Sequence, residues 1–423
     1  MERIIFHVDA NSAFLSWSAA YRVRVLGETE DLRDVPSVVA GDKSSRRSII
    51  LAKSGPAKKF GVQTGEPLGM AMEKCPNLKV VEPDYGLYVA ASRKFVEVLR
   101  EFSPVVEQYS IDECWVDMTG SSALFGPPVL AAEKLKNRIR DELGFTVNVG
   151  ISTNKLLAKM AGDFEKPDKV HTLFPHEISD KMWPLPVRDL FSVGPATERK
   201  LRDIGITTIG GIAKADVNIL RKKLHKPGEI LWHFANGRCD DTLLSQPRDN
   251  KGYGNSMTTP WDVTTVQEGQ QVLLSLCETV GMRLRRDCKR CAMLAVSLRT
   301  TDFRDFSHQI PLHSATNVTS ELYDAACRAF LQMWDKGTPL RQLGVRVGKI
   351  ASGEYRQCCL FDDRNYERME KMDAAVDHIR EKYGEDALFR ARFLHEGVSG
   401  SMAGGLDRER RTGVTKPVPE EGK

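Results

Sequence analysis

Residues 108–120, QYSIDECWVDMTG, decide how the first part of this chain folds. Residues 104–110 and 113–118 read as two short strands, with Ile111 and Asp112 at the junction between them. The acidic pair Asp112 and Glu113 therefore falls at a strand–turn–strand corner. A third acid is placed in the same way upstream: residues 3–9, RIIFHVD, read as a short buried strand ending on Asp9. A carboxylate at the end of a buried strand is poorly hydrated, and neighbouring acids repel it. A hard divalent cation relieves both effects, and Mg²⁺ takes carboxylate oxygens together with phosphates and water. Two such ions about 4 Å apart can stabilise the attacking and leaving oxygens of an in-line displacement. The same spacing also fits ordinary acids in surface turns.

Further strands are expected at 35–41 and 47–52, joined by the polar loop GDKSSRR, with a helix start at 55–61. A helix over Tyr85–Phe102 carries Tyr88, Ala91, Phe95, Val98 and Leu99 on one face. A helix at 129–143, a strand at 145–151 and a helix from Asn154 to Gly162 follow. Lys53, Lys58 and Lys59 lie on or after a strand, and Lys155 and Lys159 share one helix face. They suit a triphosphate as counter-charges and equally suit solvated surfaces. Between 191 and 213 the glycine pattern fits a helix-hairpin-helix, in which Gly194 and Gly205 let the backbone approach a phosphate. A plain helical turn is the alternative.

Residues 241–256 are polar and Gly-rich, as a linker should be. Beyond 265 the pattern is α+β: a helix at 267–287, a strand at 293–300, a second near 306–310, a helix near 317–334 and a strand at 340–350. Residues 245–352 hold fourteen Lys/Arg against ten Asp/Glu. Arg283, Arg285, Arg286, Lys289 and Arg290 gather at one helix end, and Arg299, Arg304, Arg346 and Lys349 lie on or beside strands. A face that tracks phosphate would explain this, and so would an ordinary charge-balanced surface. After Phe361 a helix with Met369, Met372, Val376, Ile379 and Tyr383 on one face is expected, then a tail whose composition points to disorder.

The length of 423 residues suggests two to four domains, and 41% hydrophobic with 28% charged residues is an ordinary globular balance. Lys and Arg total 61 against 57 acids, too small an excess to define a partner. Of the nine cysteines, only Cys288 and Cys291 form a CxxC, and no second pair completes a zinc site. Free thiols in a reducing cytosol are the simpler reading. The N-terminal run has no cleavage-type region, and no stretch of 18 apolar residues exists, so a cytoplasmic protein without membrane association is expected.

Taken in order, IIFHVDANSAF (4–14), QYSIDECWVDMTG (108–120), GISTNKLLAKMAGDFEKPD (150–168) and FSVGPATERKLRDIGITTIGGIA (191–213) resemble the Y-family DNA polymerases, in the DinB/DNA polymerase IV or UmuC-like branch. The resemblance covers roughly residues 3–361. It implies an α+β, multidomain right-hand polymerase. The palm would be 1–11 and 80–172, the fingers 12–79, and the helical thumb 173–240. A linker at 241–246, an α+β little finger at 247–352 and a C-terminal region at 353–423 would follow. It also implies error-prone translesion synthesis on primer-template DNA with dNTPs, by a monomer.

Residue by residue, the resemblance implies two Mg²⁺ ions on Asp9, Asp112 and Glu113, with the Ala10 carbonyl completing one shell. Lys159 would bind the triphosphate, helped by Lys53 and Lys58, and the Phe14 ring would exclude a ribose 2′-OH. Gly194, Gly205, Arg283, Arg285, Arg299 and Arg346 would meet DNA. Gln357, Leu360 and Phe361 resemble the peptide that binds the bacterial sliding clamp. Two positions depart from the family pattern: Gly55 stands where a tyrosine is usual and Lys58 where an arginine is usual. Lysine lacks the bidentate fork of arginine. The family's common second aspartate is here Asn11, at a position that is not normally a ligand. No exonuclease-like acidic motif is present elsewhere, so no proofreading is expected. Two alternatives stay open: a non-catalytic DNA- and clamp-binding protein, and a UmuC-like subunit dependent on accessory proteins.

Overall fold

The computed structural model describes residues 3–41, 48–239, 242–243, 249–335, 337–353, 365–384, 387–388 and 390–393. The chain divides into two compact units, one built mainly from residues 1–247 and the other from 248–409.

The first unit begins with β1 (Ile5–Ala10), α1 (Ala13–Arg24), β2 (Ser37–Ala40), β3 (Ile50–Lys53), α2 (Gly55–Lys59), α3 (Leu68–Lys74), β4 (Lys79–Val81) and α4 (Tyr85–Phe102). It continues through β5 (Val106–Gln108), β6 (Glu113–Asp117), α5 (Ser122–Phe125), α6 (Pro128–Leu143), β7 (Val147–Ser152), α7 (Lys155–Gly162) and β8 (Val170–Thr172). Four short helices close it: α8 (Pro195–Arg202), α9 (Ile209–Lys214), α10 (Val217–Leu224) and α11 (Lys226–Ala235).

Five strands form one sheet in the order β5-β6-β1-β7-β8. β1 lies at its centre, antiparallel to both β6 and β7, with Asp9 opposite Glu113 on one side and Asn148 on the other. Every residue of β1 is buried, because α4 and α6 contribute to the core on one face of the sheet while α7 covers the other. A strand covered on both faces reads as a continuous apolar run rather than an alternation. Gly150 of β7 makes the α7 contact possible: a Cβ there would lie 1.9 Å from the Ala158 carbonyl oxygen. A second sheet, β3-β2-β4, carries α2 and α3. The short helices from α8 onward pack Leu201, Ile209, Ile212, Leu220 and Leu231 around Leu157 and Met160 of α7.

The second unit contains β9 (Tyr253–Val263), α12 (Val266–Arg286), β10 (Lys289–Thr300), β11 (Asp305–Thr316), α13 (Thr319–Met333), β12 (Leu340–Ser352) and α14 (Tyr366–Tyr383). Its sheet runs β11-β10-β12-β9, all antiparallel. One face, with Leu294, Val296, Leu298, Leu343, Val345 and Val347, packs on α12 and α13. The opposite face carries small or polar residues, including Ala295, Ser297, Gly344, Arg346 and Ser256 in adjacent register. A Thr265–Glu268 capping box starts α12.

Two expectations need correction here. The polar stretch through 256 already contains the start of β9: Tyr253, Asn255, Met257 and Thr259 are buried at every second position beneath a linker-like composition. In α14 the expected apolar face docks only in part, with Met369 and Val376 half-buried. Met372 is 51% and Tyr383 67% exposed, whereas Asp373 is 4% exposed and turned onto α12. The expected linker at 241–246 lies outside the described residues except for 242 and 243.

Candidate active site

Strand pairing assembles the three acids. The β1–β6 register places Asp9 across from Glu113, and the Ala10 amide donates to the Asp112 carbonyl at 3.0 Å. Ser110 Oγ donates to Asp112 Oδ1 at 2.6 Å, which holds the turn. Burial raises the Asp9 pKa, against the lowering effect of Lys166. Asp112 is raised by burial first, then by the charges of Asp9 and Glu113, with Ser110 partly offsetting. Asp9 keeps Lys166 as an ion-pair partner, and burial still holds both carboxyls above their ordinary pKa.

Glu113 differs from its neighbours. Burial again pushes its pKa up as the largest single effect, but His7 and Lys159 together outweigh it and bring it down to about 2. Lys159 Nζ sits 2.9 Å from Glu113 Oε2, whereas His7 Nε2 is 3.9 Å away and beyond hydrogen-bonding reach. Lys159 is therefore the direct partner, held between the Tyr109 and Phe191 rings. Among the described residues no three Asp, Glu, His or Cys side chains stand close enough to enclose one ion.

Asp9 and Asp112 open onto a cleft of about 580 Å³ that is also lined by Phe14, Lys53, Lys58 and Lys166. The Phe14 ring stacks on Tyr88 with centroids 4.6 Å apart, and the Tyr88 hydroxyl is 3.0 Å from Ser18 Oγ. Lys53 Nζ donates to the Val62 carbonyl at 2.5 Å. Burial, followed by the charge of Lys58, lowers the Lys53 pKa. A Cβ on Gly55 would meet nothing within 4 Å, so that stretch of the wall is open.

Sequence reasoning missed Lys166. Its ammonium contacts the Asp9 carboxylate and lies 2.8 Å from Asp163. Asp9 and Asp163 raise its pKa against the opposing effect of burial, which is the largest single one. Asn11 brings this segment back to β1: its Oδ1 accepts from the Asp168 amide at 3.0 Å, and its Nδ2 donates to Asn148 at 3.1 Å. The readable signal was a lysine just past a helix that itself follows a buried strand. By contrast, Lys159, expected on the triphosphate, is not among the residues lining the cleft. Its neighbour Lys155 pairs with Glu107 at 2.7 Å.

Of the residues expected on DNA, Gly194 caps α8 and Gly205 has φ +78°, and a Cβ on either would meet nothing within 4 Å. Arg346 is exposed on the small-residue face of the second unit's sheet, and Arg299 is paired with Asp305 at 2.7 Å. Arg283 is partly buried and donates to the Gly254 carbonyl at 3.3 Å. Arg285 is instead engaged by α14, with Asp377 at 2.6 Å and Asp373 at 3.2 Å. Gln357, Leu360 and Phe361 lie outside the described residues. No helix among the described residues is long and apolar enough to cross a membrane.

Comparison with known proteins agrees with this layout. The impB/mucB/samB family matches residues 8–163, its C-terminal domain matches 250–360, and the IMS family HHH motif matches 175–206. A protein named DNA polymerase IV from Clostridium acetobutylicum is 46% identical over 398 residues, covering 94% of this chain and 99% of that protein. DNA polymerase IV 2 of Bacillus subtilis is 37% identical, covering 93% of this chain and 95% of that one. Among solved structures, a Y-family DNA polymerase chimera of Dbh and Dpo4 shares the fold with a TM-score of 0.69. It is 23% identical and covers 82% of this chain and 99% of that one.

Proposed function

The chain belongs to the impB/mucB/samB family, the Y-family DNA polymerases, and on that premise we propose that it is a template-directed, error-prone translesion DNA polymerase without proofreading. The primer 3′-OH attacks the α-phosphate of a dNTP and pyrophosphate leaves. The observation that carries this reading is the Asp9–Asp112 pair: one buried and one half-buried carboxyl, both raised in pKa, facing a cleft that also holds three lysines.

The donor set fits a hard divalent cation, because two carboxylates raised in pKa by burial and a nearby backbone carbonyl at Ala10 supply oxygens only, and Lys166 would give up Asp9 to the ion. Asp9 and Asp112 would hold Mg²⁺, in the two-ion form the family implies. Glu113 would join them by exchanging Lys159 for the ion. When bound, the metal neutralises charge on the phosphate and the attacking oxygen. The chain's own groups position and shield the reactants. Lys166 and Lys58 face the cleft as point charges for phosphate oxygens. The Phe14 ring, backed by Tyr88 at the cleft wall, would exclude a ribose 2′-OH. Such positioning, rather than covalent chemistry, supplies most of the catalysis in phosphoryl-type transfer.

We assign 1–11 and 80–172 to a palm, 12–79 to fingers, 173–240 to a thumb and 247–352 to a little finger. Gln357, Leu360 and Phe361 are assigned to a bacterial sliding clamp, and the chain acts as a cytoplasmic monomer. Primer extension by the purified single chain tests the reading. Extension by wild type that disappears in Asp112→Ala supports it, and extension that survives in Asp112→Ala overturns it.

A further inference from the structure

We propose that residues 366–384 and 390–393 form a strap latched onto α12 by a charge-neutral network, and that this latch keeps Arg285 and Arg290 from nucleic-acid phosphates. The strap lies beyond the regions matched by the family, whose C-terminal domain ends at residue 360. It runs antiparallel to α12. Near the end of α12, Arg285 meets Asp373 and Asp377 of α14. Seven residues earlier, Glu278 accepts from Arg380 at 3.2 Å and Arg390 at 2.5 Å. Earlier still, Gln271 donates to the Arg392 carbonyl at 3.3 Å, and Phe393 packs on Leu274. Arg290 of β10 pairs with Glu370 at 2.5 Å and also donates to the Gly353 carbonyl at 3.2 Å.

Arg285, Arg290, Arg380 and Arg390 thus face Glu278, Glu370, Asp373 and Asp377, four charges against four. Most of these side chains are largely removed from solvent, Asp373 to 5% and Arg285 to 12% exposure. Removing one partner from such a set strands a buried opposite charge. The helix docks through this charged stripe together with half-buried Met369 and Val376, while Met372, Ile379 and Tyr383 remain exposed. The most buried side chain of α14, Asp373, is thus held by pairing of arginine with carboxylate. Phosphate oxygens offer arginine the same bidentate geometry, so nucleic acid is the natural competitor for the two arginines outside the strap. That second half rests on the polymerase reading given above.

The test uses the full chain with Asp373→Asn/Asp377→Asn, and the swapped pair Arg285→Asp/Asp377→Arg. The first variant should be cut by trypsin within the strap about tenfold faster than wild type, as expected for local opening. Its primer-template affinity should rise at low salt, with a log–log salt slope steeper by about one to two. The swapped pair should recover protection from trypsin, which general loss of folding would not allow. Unchanged protection in the first variant overturns the latch. A released strap with unchanged DNA affinity and slope overturns the masking. If the wild-type chain binds no primer-template, the polymerase reading and the masking fall together, while the protease result still decides the latch.

Discussion

Replacing Lys159 with Met should cost stability in a way that pH reports. Lys159 Nζ lies 2.9 Å from Glu113 Oε2 and ties α7 to β6, with side-chain exposures of 10% and 21%. Glu113 is shifted from its ordinary 4.5 to about 2, with burial opposing and His7 and Lys159 prevailing. At about 1.36 kcal/mol per tenfold change, that displacement is worth on the order of 3 kcal/mol. Lys159 makes the only direct contact of the two, so about 2 kcal/mol of it should vanish in Lys159→Met. The carboxyl is depressed in the folded state, so its contribution is fully present above about 4.5 and is lost as pH falls through about 2. Urea unfolding of wild type, Lys159→Met, Glu113→Gln and the double variant, in EDTA, gives the coupling directly. The account requires a coupling of about 2 kcal/mol at pH 7 that shrinks below pH 4.5. A coupling under about 0.5 kcal/mol at pH 7, or one independent of pH, refutes the pairing.

Phe14→Ala should raise ribonucleotide incorporation on the order of 10- to 100-fold in single-nucleotide kinetics, since the ring stands at the cleft; no change removes the steric assignment. Gly150→Ala should destabilise the first unit by about 3 kcal/mol or more, seen as a lowered urea midpoint, because its Cβ would collide with the Ala158 carbonyl. Leu360→Ala/Phe361→Ala should abolish stimulation by a sliding clamp while sparing basal extension; unchanged stimulation excludes that docking peptide.

The parts of the site that are local in sequence were legible. Asp9 could be read as the acid ending a buried strand, and Asp112–Glu113 as the corner of a strand pair, because both follow from runs of apolar residues. Phe14, five residues on from Asp9, came with them. Lys166 left only a weak signal, a lysine just past a helix, since its approach to Asp9 goes with Asn11 capturing the Asp168 amide 157 residues away. Lys159 shows the converse: its helix follows from the sequence, whereas its 2.9 Å pairing with Glu113 joins α7 to β6 across 46 residues and could not be read locally. In the second unit, composition obscured periodicity. β9 hid among Gly, Asn and Ser because its buried positions include Asn255 and Thr259. α14 differs for the opposite reason: its apolar spacing is real and half-buries Met369 and Val376, yet the most buried position belongs to the acidic stripe beside them, opposite Arg285 and Arg290.

Binding of Mn²⁺ to the purified chain without DNA or nucleotide, followed by the loss of its free electron-spin-resonance signal, addresses the central claim most directly. Wild type should bind the ion, and Asp9→Asn and Asp112→Asn should each weaken binding at least about tenfold, because each removes one of the two carboxylates that line the cleft. Equal binding by all three proteins would contradict the account.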